Sequence, residues 1–195
     1  VRDHGGVIDE PETRSENRHR EGSAGAWRNA FLRAPFYREV LVPMGVIVDT
    51  FETAVTWDLF PAFHAEVTRR IADILKRVTG KPGSVTCRFT HAYPDGPAPY
   101  FTFQALGRIS ALLEQWQEIK AEANDVVISA GGTITHHHAV GRDHRPGYAR
   151  ECPPLFAEAL RAAKKAVDPN GLMNPGVLID PQDRTIGVRG AMAGV

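Results

Sequence analysis

The stretch VTCRFTHAYPDGPAPYFTFQAL, from Val85 to Leu106, decides the fold. Two β-rich runs, Val85 to Ala92 and Tyr100 to Leu106, flank Tyr93-Pro94-Asp95-Gly96-Pro97, a concentration of Pro and Gly suited to a turn. The two runs therefore read as an antiparallel hairpin. Ahead of it, Phe60, Phe63, Val67, Ile71, Ile74, Leu75 and Val78 recur at spacings of three and four until Gly80-Lys81-Pro82-Gly83 stops them. That spacing predicts an amphipathic helix. Earlier still, Val46 to Val55 is partly alternating and reads as a strand.

After the hairpin, Ile109, Leu112, Leu113, Trp116 and Ile119 form a second helical stripe, and Val126 to Ser129 is expected to be a short strand. The order from Val46 is then β-α-β-β-α-β. This predicts an α+β fold, a ferredoxin-like split βαβ antiparallel sheet with both helices on one face. A last helix through Leu155, Phe156, Ala159, Leu160, Ala163 and Val167 closes at Asp168-Pro169-Asn170-Gly171, and a carboxyl-terminal tail follows.

The ends are different in kind. Residues 1–26 are polar and charged, with almost no large apolar side chain, and read as a tail or loop. From Trp27, the residues Phe31, Phe36 and Tyr37 give an apolar face to a helix ending near Gly45, with Pro35 placed to break it. The expected division is a tail over 1–26, one domain over 27–180 and a flexible terminus over 181–195.

Hydrophobic residues make up 43% of the chain and charged residues 24%, a globular balance. The formal net charge is zero, so no basic field recruits nucleic acid. Cys87 and Cys152 show no metal-binding or disulfide-framework spacing. No apolar run approaches the roughly 20 residues of a membrane span, and no secretory segment opens the chain. A cytoplasmic location, compatible with peripheral contact with a membrane, is the expectation.

Chemistry concentrates at Gly131-Gly132-Thr133-Ile134-Thr135-His136-His137-His138-Ala139-Val140-Gly141, with His144 close behind. Imidazole titrates near neutrality, so such a cluster suits proton transfer or anion binding, with solvated or structural histidines as the alternative. Adjacent residues of an extended segment point to opposite faces, so three neighbouring imidazoles cannot easily converge on one ion. No metal site is expected.

The histidine loop, the helix after it and Asp168-Pro169-Asn170-Gly171-Leu172-Met173-Asn174-Pro175-Gly176 together resemble the carboxyl-terminal part of FAD-linked oxidases of the vanillyl-alcohol oxidase type. The triple histidine, with Phe51-Glu52-Thr53-Ala54-Val55-Thr56-Trp57, Cys87-Arg88-Phe89-Thr90, Tyr93-Pro94-Asp95-Gly96 and Tyr100-Phe101-Thr102-Phe103, resembles the alkylglycerone-phosphate synthase branch.

The resemblance implies a cap, or substrate, domain. It also implies FAD as cofactor of the full-length family, bound by a flavin-binding domain upstream or on another chain. Gly131-Gly132 is too short for a dinucleotide fingerprint, so the isolated chain is expected to be colourless and inactive. Tyr100, His136, His137 and His138 match the family's catalytic positions, Arg38 a substrate-binding arginine, and Asn174, Pro175, Gly176, Val177 and Leu178 its functional, cofactor-proximal tail. Ala139 departs from the usual Gly after the triplet, which would strain the backbone if φ were positive there.

The implied reaction is a non-redox flavin reaction of ether-lipid synthesis, in which a fatty alcohol replaces the acyl group of an acyl-dihydroxyacetone phosphate. The implied partners are a lipid-like phosphate ester and a second copy of the chain. Two alternatives stand beside it: an FAD-dependent 2-hydroxy-acid dehydrogenase of the lactate or glycolate type, and a non-catalytic ferredoxin-like module.

Overall fold

In the computed structural model, which describes Gly5 and residues 22–181, the polypeptide forms two units, 1–43 and 44–195. Most of the expected tail, and all of the expected flexible terminus except Pro181, lie outside the described residues. The first unit carries α1 (Gly22–Arg33), a 3-10 turn (Ala34–Phe36) and α2 (Tyr37–Leu41). The turn falls at Pro35, which lacks the N–H a continuous helix needs. Helix α1 begins at Gly22, so residues 22–26, expected to be tail, are helical; Ala24 and Ala26 favour helix strongly.

The second unit is built on a three-stranded sheet of β1 (Val46–Glu52), β2 (Ser84–Ala92) and β3 (Pro97–Leu106), in the order β1-β3-β2 and antiparallel throughout. The hairpin is present as expected, and β3 is the central strand. Helices α3 (Phe60–Thr79) and α4 (Leu112–Ser129) pack on one face. The apolar stripe of α3 is buried through Phe63, Val67, Ile71, Ile74 and Leu75, against Ile47, Phe51, Phe101 and Phe103 of the sheet. Phe51 and Phe101, opposite each other in the register, stack at 5.0 Å. Gly80, with φ 75°, ends α3 in the left-handed conformation that glycine adopts without steric cost.

The α+β class with helices on one side of an antiparallel sheet is therefore observed, with one correction. Val126 to Ser129 is not a strand but the last turn of α4. Val126 and Val127 continue the buried stripe of Ile119 and Ala123 at helical spacing, and this packing outweighs the β preference of valine. The histidine loop thus leaves a helix end rather than a strand end.

The place beside β1 that a fourth strand would occupy is taken a few residues later. Thr133 N–H donates to the Ala54 carbonyl at 3.1 Å, and His136 N–H to the Glu52 carbonyl at 3.0 Å. Thr53 Oγ1 donates to the Thr133 carbonyl at 2.6 Å, and Ala54 N–H to Thr133 Oγ1 at 3.0 Å. Residues 133–136 are thereby fastened along 52–54. Gly132 is required there, because a Cβ would come within 2.7 Å of both Phe63 and Thr53.

Two further helices, α5 (Arg145–Glu151) and α6 (Pro154–Val167), follow the loop. The sequence reading anticipated α6 and missed α5, whose seven residues are too few for a periodic signal. Asp168 closes α6 by accepting from Lys164 Nζ and from the N–H groups of Leu172 and Met173. The Lys164 bond and these backbone donors hold its carboxyl at about 2, well below the usual range.

Candidate active site

Side chains alternate along a strand, so the face of the sheet turned away from the helices carries Val48, Thr50 and Glu52 on β1, Tyr100, Thr102 and Gln104 on β3, and Ser84, Thr86 and Arg88 on β2. The helix-bound face is apolar except for Asp49, and this one is polar almost throughout. Tyr100 sits between Glu52 and Arg88 in the register. Its hydroxyl donates to Thr50 Oγ1 at 3.1 Å, and the Arg88 guanidinium lies over its ring at 4.5 Å from the centroid.

A β-bulge then changes the pattern on β2. Phe89 is paired with Pro99 and His91 with Ala98, which leaves Thr90 as the extra residue. The bulge turns the His91 side chain onto the Glu52 side of the sheet, where an unbroken strand would have pointed it at the helices.

Glu52 is the centre of the arrangement, with its side chain only 3% exposed. Thr90 Oγ1 donates to Glu52 Oε1 at 2.6 Å, and the same oxygen lies 3.0 Å from His136 Nδ1 and 3.3 Å from His91 Nδ1. Oε2 faces His138 Nε2 at 3.6 Å. Burial pushes the Glu52 carboxyl up, but the bonds from Thr90, His136 and His91 and the field of His138 outweigh it and leave the carboxyl below its usual value. Glu52 is thus ionised at neutral pH.

The histidine loop covers this carboxylate. His138 N–H donates to the His136 carbonyl at 2.6 Å, a tight turn that places His137 at φ 60°. The strained position is therefore His137; Ala139 has no positive φ. The His138 ring meets Tyr100 edge-on at 5.3 Å, whereas His136 Nε2 faces the Tyr93 hydroxyl at 3.3 Å. The ring of His137 lies 5.2 Å from that of His91. Burial, reinforced by Lys120 and His137, lowers the His138 pKa against the opposing pull of Glu52, so its imidazole is neutral near pH 7.

Lys120 and Asp49 support the base of the site. Lys120 is nearly buried and donates to the Thr50 carbonyl at 3.0 Å, with Asp49 at 3.3 Å; Trp116 Nε1 also donates to Asp49, at 2.8 Å. Cys87, paired with Phe101, has its thiol pushed up to about 11 by burial, too high for a neutral-pH nucleophile.

Of the residues singled out from the sequence, Tyr100 and the three histidines come together at one end of the open face. Arg38 lies on α2 of the first unit, with an exposed side chain. Asn174 to Leu178 run beside the segment after the triplet: Arg142 donates to the Pro175 carbonyl at 2.8 Å, and Leu178 N–H to the Gly141 carbonyl at 3.2 Å. Glu52, Thr90 and His91 were not identified as site residues from sequence. The available signal was an acid at the end of the strand Val46–Glu52, which by itself does not reveal its partners.

His144 gives the loop a pH dependence. It is buried, its Nδ1 lies 3.2 Å from the Ala139 carbonyl, and its Nε2 has no hydrogen-bond partner. Burial, and then Lys120, lower its pKa. A group whose folded pKa is depressed adds stability that is present above its unfolded pKa, about 6.5, and is lost as pH falls through the folded value. The urea midpoint of the chain should fall between pH 7.5 and pH 5.5, and His144→Leu should shrink that fall. An equal fall in both proteins would remove His144 as its source.

The model of the family described as FAD linked oxidases, C-terminal domain, matches residues 4–178, and the chain belongs to this family. Its relatives include alkyldihydroxyacetonephosphate synthase of Trypanosoma brucei brucei, 29% identical over 154 residues, and that of Dictyostelium discoideum, 26% identical over 153. Each match covers 78% of this chain and 25% of the relative, so the chain spans about a quarter of their length.

Glycolate oxidase subunit GlcD of Bacillus subtilis is a weaker relative, 30% identical over 105 residues, covering 53% of this chain and 22% of its own. A solved structure of alkyldihydroxyacetonephosphate synthase shares the fold, with a TM-score of 0.55 at 19% identity, over 79% of this chain and 24% of that one. Among the described residues, no helix is long and apolar enough to cross a membrane.

Proposed function

We propose that the chain is the substrate domain of a flavoenzyme that exchanges the acyl group of an acyl-dihydroxyacetone phosphate for a fatty alcohol. The observation that carries this reading is the meeting of Tyr100 and His138, ring edge to ring face, above an ionised and buried Glu52. A phenol is a poor base until a neighbour takes its proton, and a neutral imidazole beside it supplies that neighbour. Tyr100 receives the proton from the carbon next to the ketone, and His138 accepts the phenol proton in turn. Glu52 stabilises the imidazolium that results. His136 and His137, held by Glu52 and His91, shape the loop that seats His138.

Full-length members of the family are FAD-linked. The residues present fit the ring end of that cofactor: the open face offers the hydroxyls of Thr50, Thr86 and Thr102 and the Arg88 guanidinium as donors to a planar, carbonyl-bearing ring. Among the described residues no glycine-rich turn of the dinucleotide-binding pattern opens a helix for the pyrophosphate, so these 195 residues alone are expected to hold no flavin and turn over no substrate. When bound, the flavin supplies an electrophile for the carbon from which the acyl group leaves. Asn174 to Leu178, packed beside the histidine loop, are the residues proposed to lie nearest the cofactor. Arg38 is proposed to hold the phosphate, because a guanidinium is permanently charged and offers forked donors.

The test is a polypeptide that joins this chain to the flavin-binding segment of an alkyldihydroxyacetonephosphate synthase. It should convert acyl-dihydroxyacetone phosphate and a fatty alcohol to the ether, with release of the fatty acid. Oxidation of lactate or glycolate without ether formation would replace this reading with the dehydrogenase one, which the likeness to the glycolate oxidase subunit supports.

A further inference from the structure

We propose that Lys120 is a positioning residue for the proton relay of Tyr100 and His138, acting through Thr50 from the outer edge of β1. The inference rests on that relay, and it gives a task to a cation the relay itself does not use. Lys120 is only 6% exposed, and a lysine is almost never buried so far unless it is paired.

Its partners lie at the sheet edge. Strand β1 pairs with β3 on one side, and among the described residues no strand lies on its other edge. Backbone groups of alternate residues face the same edge of a strand, and Thr50 and Glu52 are two apart. The Glu52 carbonyl accepts from His136 N–H at 3.0 Å. The Thr50 carbonyl accepts from Lys120 Nζ at 3.0 Å, and Thr50 N–H donates to Asp49 Oδ1 at 2.7 Å. Side chains thus satisfy both edge groups of Thr50, where an added strand would have used them. The polypeptide after His136 is free to leave the edge, and the turn at His137 carries His138 back to Tyr100.

Thr50 transmits the hold to the open face. Its backbone is clamped at the edge, while its Oγ1 accepts from the Tyr100 hydroxyl at 3.1 Å. A residue held on both backbone groups presents its hydroxyl in one place, and that fixes the phenol. Asp49 Oδ2 holds the ammonium in turn, 3.3 Å from Lys120 Nζ, and accepts from Trp116 Nε1 at 2.8 Å.

The charge of Lys120 also bears on His138. Around that imidazole stand Glu52, which binds His91 and His136, and Asp49 on β1, Tyr100 on β3, Lys120 on α4, His137 in the loop and the buried His144 ahead of α5. Burial, Lys120 and His137 hold a second proton off the ring against the pull of Glu52 and Asp49, and they prevail. A fixed charge is felt strongly where water is scarce. One buried ammonium therefore serves both members of the relay: it fixes the phenol, and it helps keep neutral the imidazole that takes the phenol proton.

The experiment follows the His138 ring protons by NMR through a pH titration of the 195-residue chain, with His138→Ala for assignment. In Lys120→Met, which removes the charge and nearly keeps the length, the His138 midpoint should move to higher pH; in Lys120→Arg it should stay near that of the wild type. Protection of the Thr133 and His136 amides from hydrogen exchange shows that the loop is still fastened to β1. Removing one member of a buried pair destabilises, so Asp49→Asn combined with Lys120→Met serves if the single variant does not fold. The midpoint should again rise, by less, because Lys120 acts on His138 more strongly than Asp49 does. Thr50→Val removes the hydroxyl, keeps the carbonyl and should leave the midpoint unchanged. In the flavin-loaded enzyme, Lys120→Met and Thr50→Val should each lower turnover by up to about 100-fold at nearly constant KM, the cost of displacing a reacting group by about 1 Å. Only Lys120→Met should move the acid limb to higher pH. An unchanged midpoint in Lys120→Met, full turnover in Thr50→Val, or a shift accompanied by loss of amide protection would overturn the proposal. A shifted midpoint without ether formation would leave Lys120 its place and count against the reaction instead.

Discussion

In the flavin-loaded enzyme, Tyr100→Phe lowers turnover by at least about 100-fold, the usual loss when a general acid or base is removed, while flavin content stays the same. The substitution is informative because of what it keeps. Phenylalanine preserves the ring that stands under the Arg88 guanidinium and against His138, and removes only the hydroxyl that bonds Thr50. The surrounding packing is unchanged in shape, so the loss measures proton transfer rather than a collapsed site.

His138→Ala should act on the same step, and the double variant should be little worse than either single one, because groups that work as a unit give non-additive losses. The acid limb of turnover should follow His138, since protonation removes its accepting lone pair, and this limb should lie below pH 6.5 because burial depresses that pKa. Glu52 pulls the His138 pKa upward, so Glu52→Gln should move the limb to lower pH. An unchanged rate in Tyr100→Phe, measured by ether formation at saturating substrate, would take the phenol out of the mechanism.

What could be read from the chain, and what could not, divides along physical lines. The hairpin around Tyr93 to Pro97 and the stripe of α3 were legible because turn chemistry and helical periodicity are local signals. Val126 to Ser129 misled because the segment is short and β-branched, and only its burial beside Ile119 and Ala123 makes it helical. The site was half legible. The histidine run announced itself by composition, and Tyr100 by resemblance. Glu52 did not, because its partners Thr90, His91 and His136 are 38, 39 and 84 residues away, and one of them is brought to it by a bulge. Such long-range convergence leaves no periodic trace in a single sequence.

Arg38→Ala separates the two enzyme classes. Arg38 sits on the short helix α2, its side chain exposed, and its backbone carbonyl accepts from Val42 N–H, so truncation leaves the helical hydrogen bond in place. Its proposed task is to hold a phosphate that a simple 2-hydroxy acid does not carry. Loss of a charge-assisted contact costs about 1.5 to 3 kcal/mol, which is roughly 10- to 150-fold in binding. The variant should therefore weaken an acyl-dihydroxyacetone phosphate by that factor and leave a phosphate-free analogue of the same chain length nearly unaffected. Arg38→Lys should recover part of the loss, because an ammonium keeps the charge but not the forked geometry. Binding is to be measured at fixed and then raised ionic strength: an exposed phosphate contact weakens with salt in the wild type, and the dependence should flatten in Arg38→Ala. Equal losses on both ligands would show that Arg38 supports the fold of its own unit rather than the substrate, and would shift the phosphate contact to another cation, of which Arg88 on the open face is the first to test.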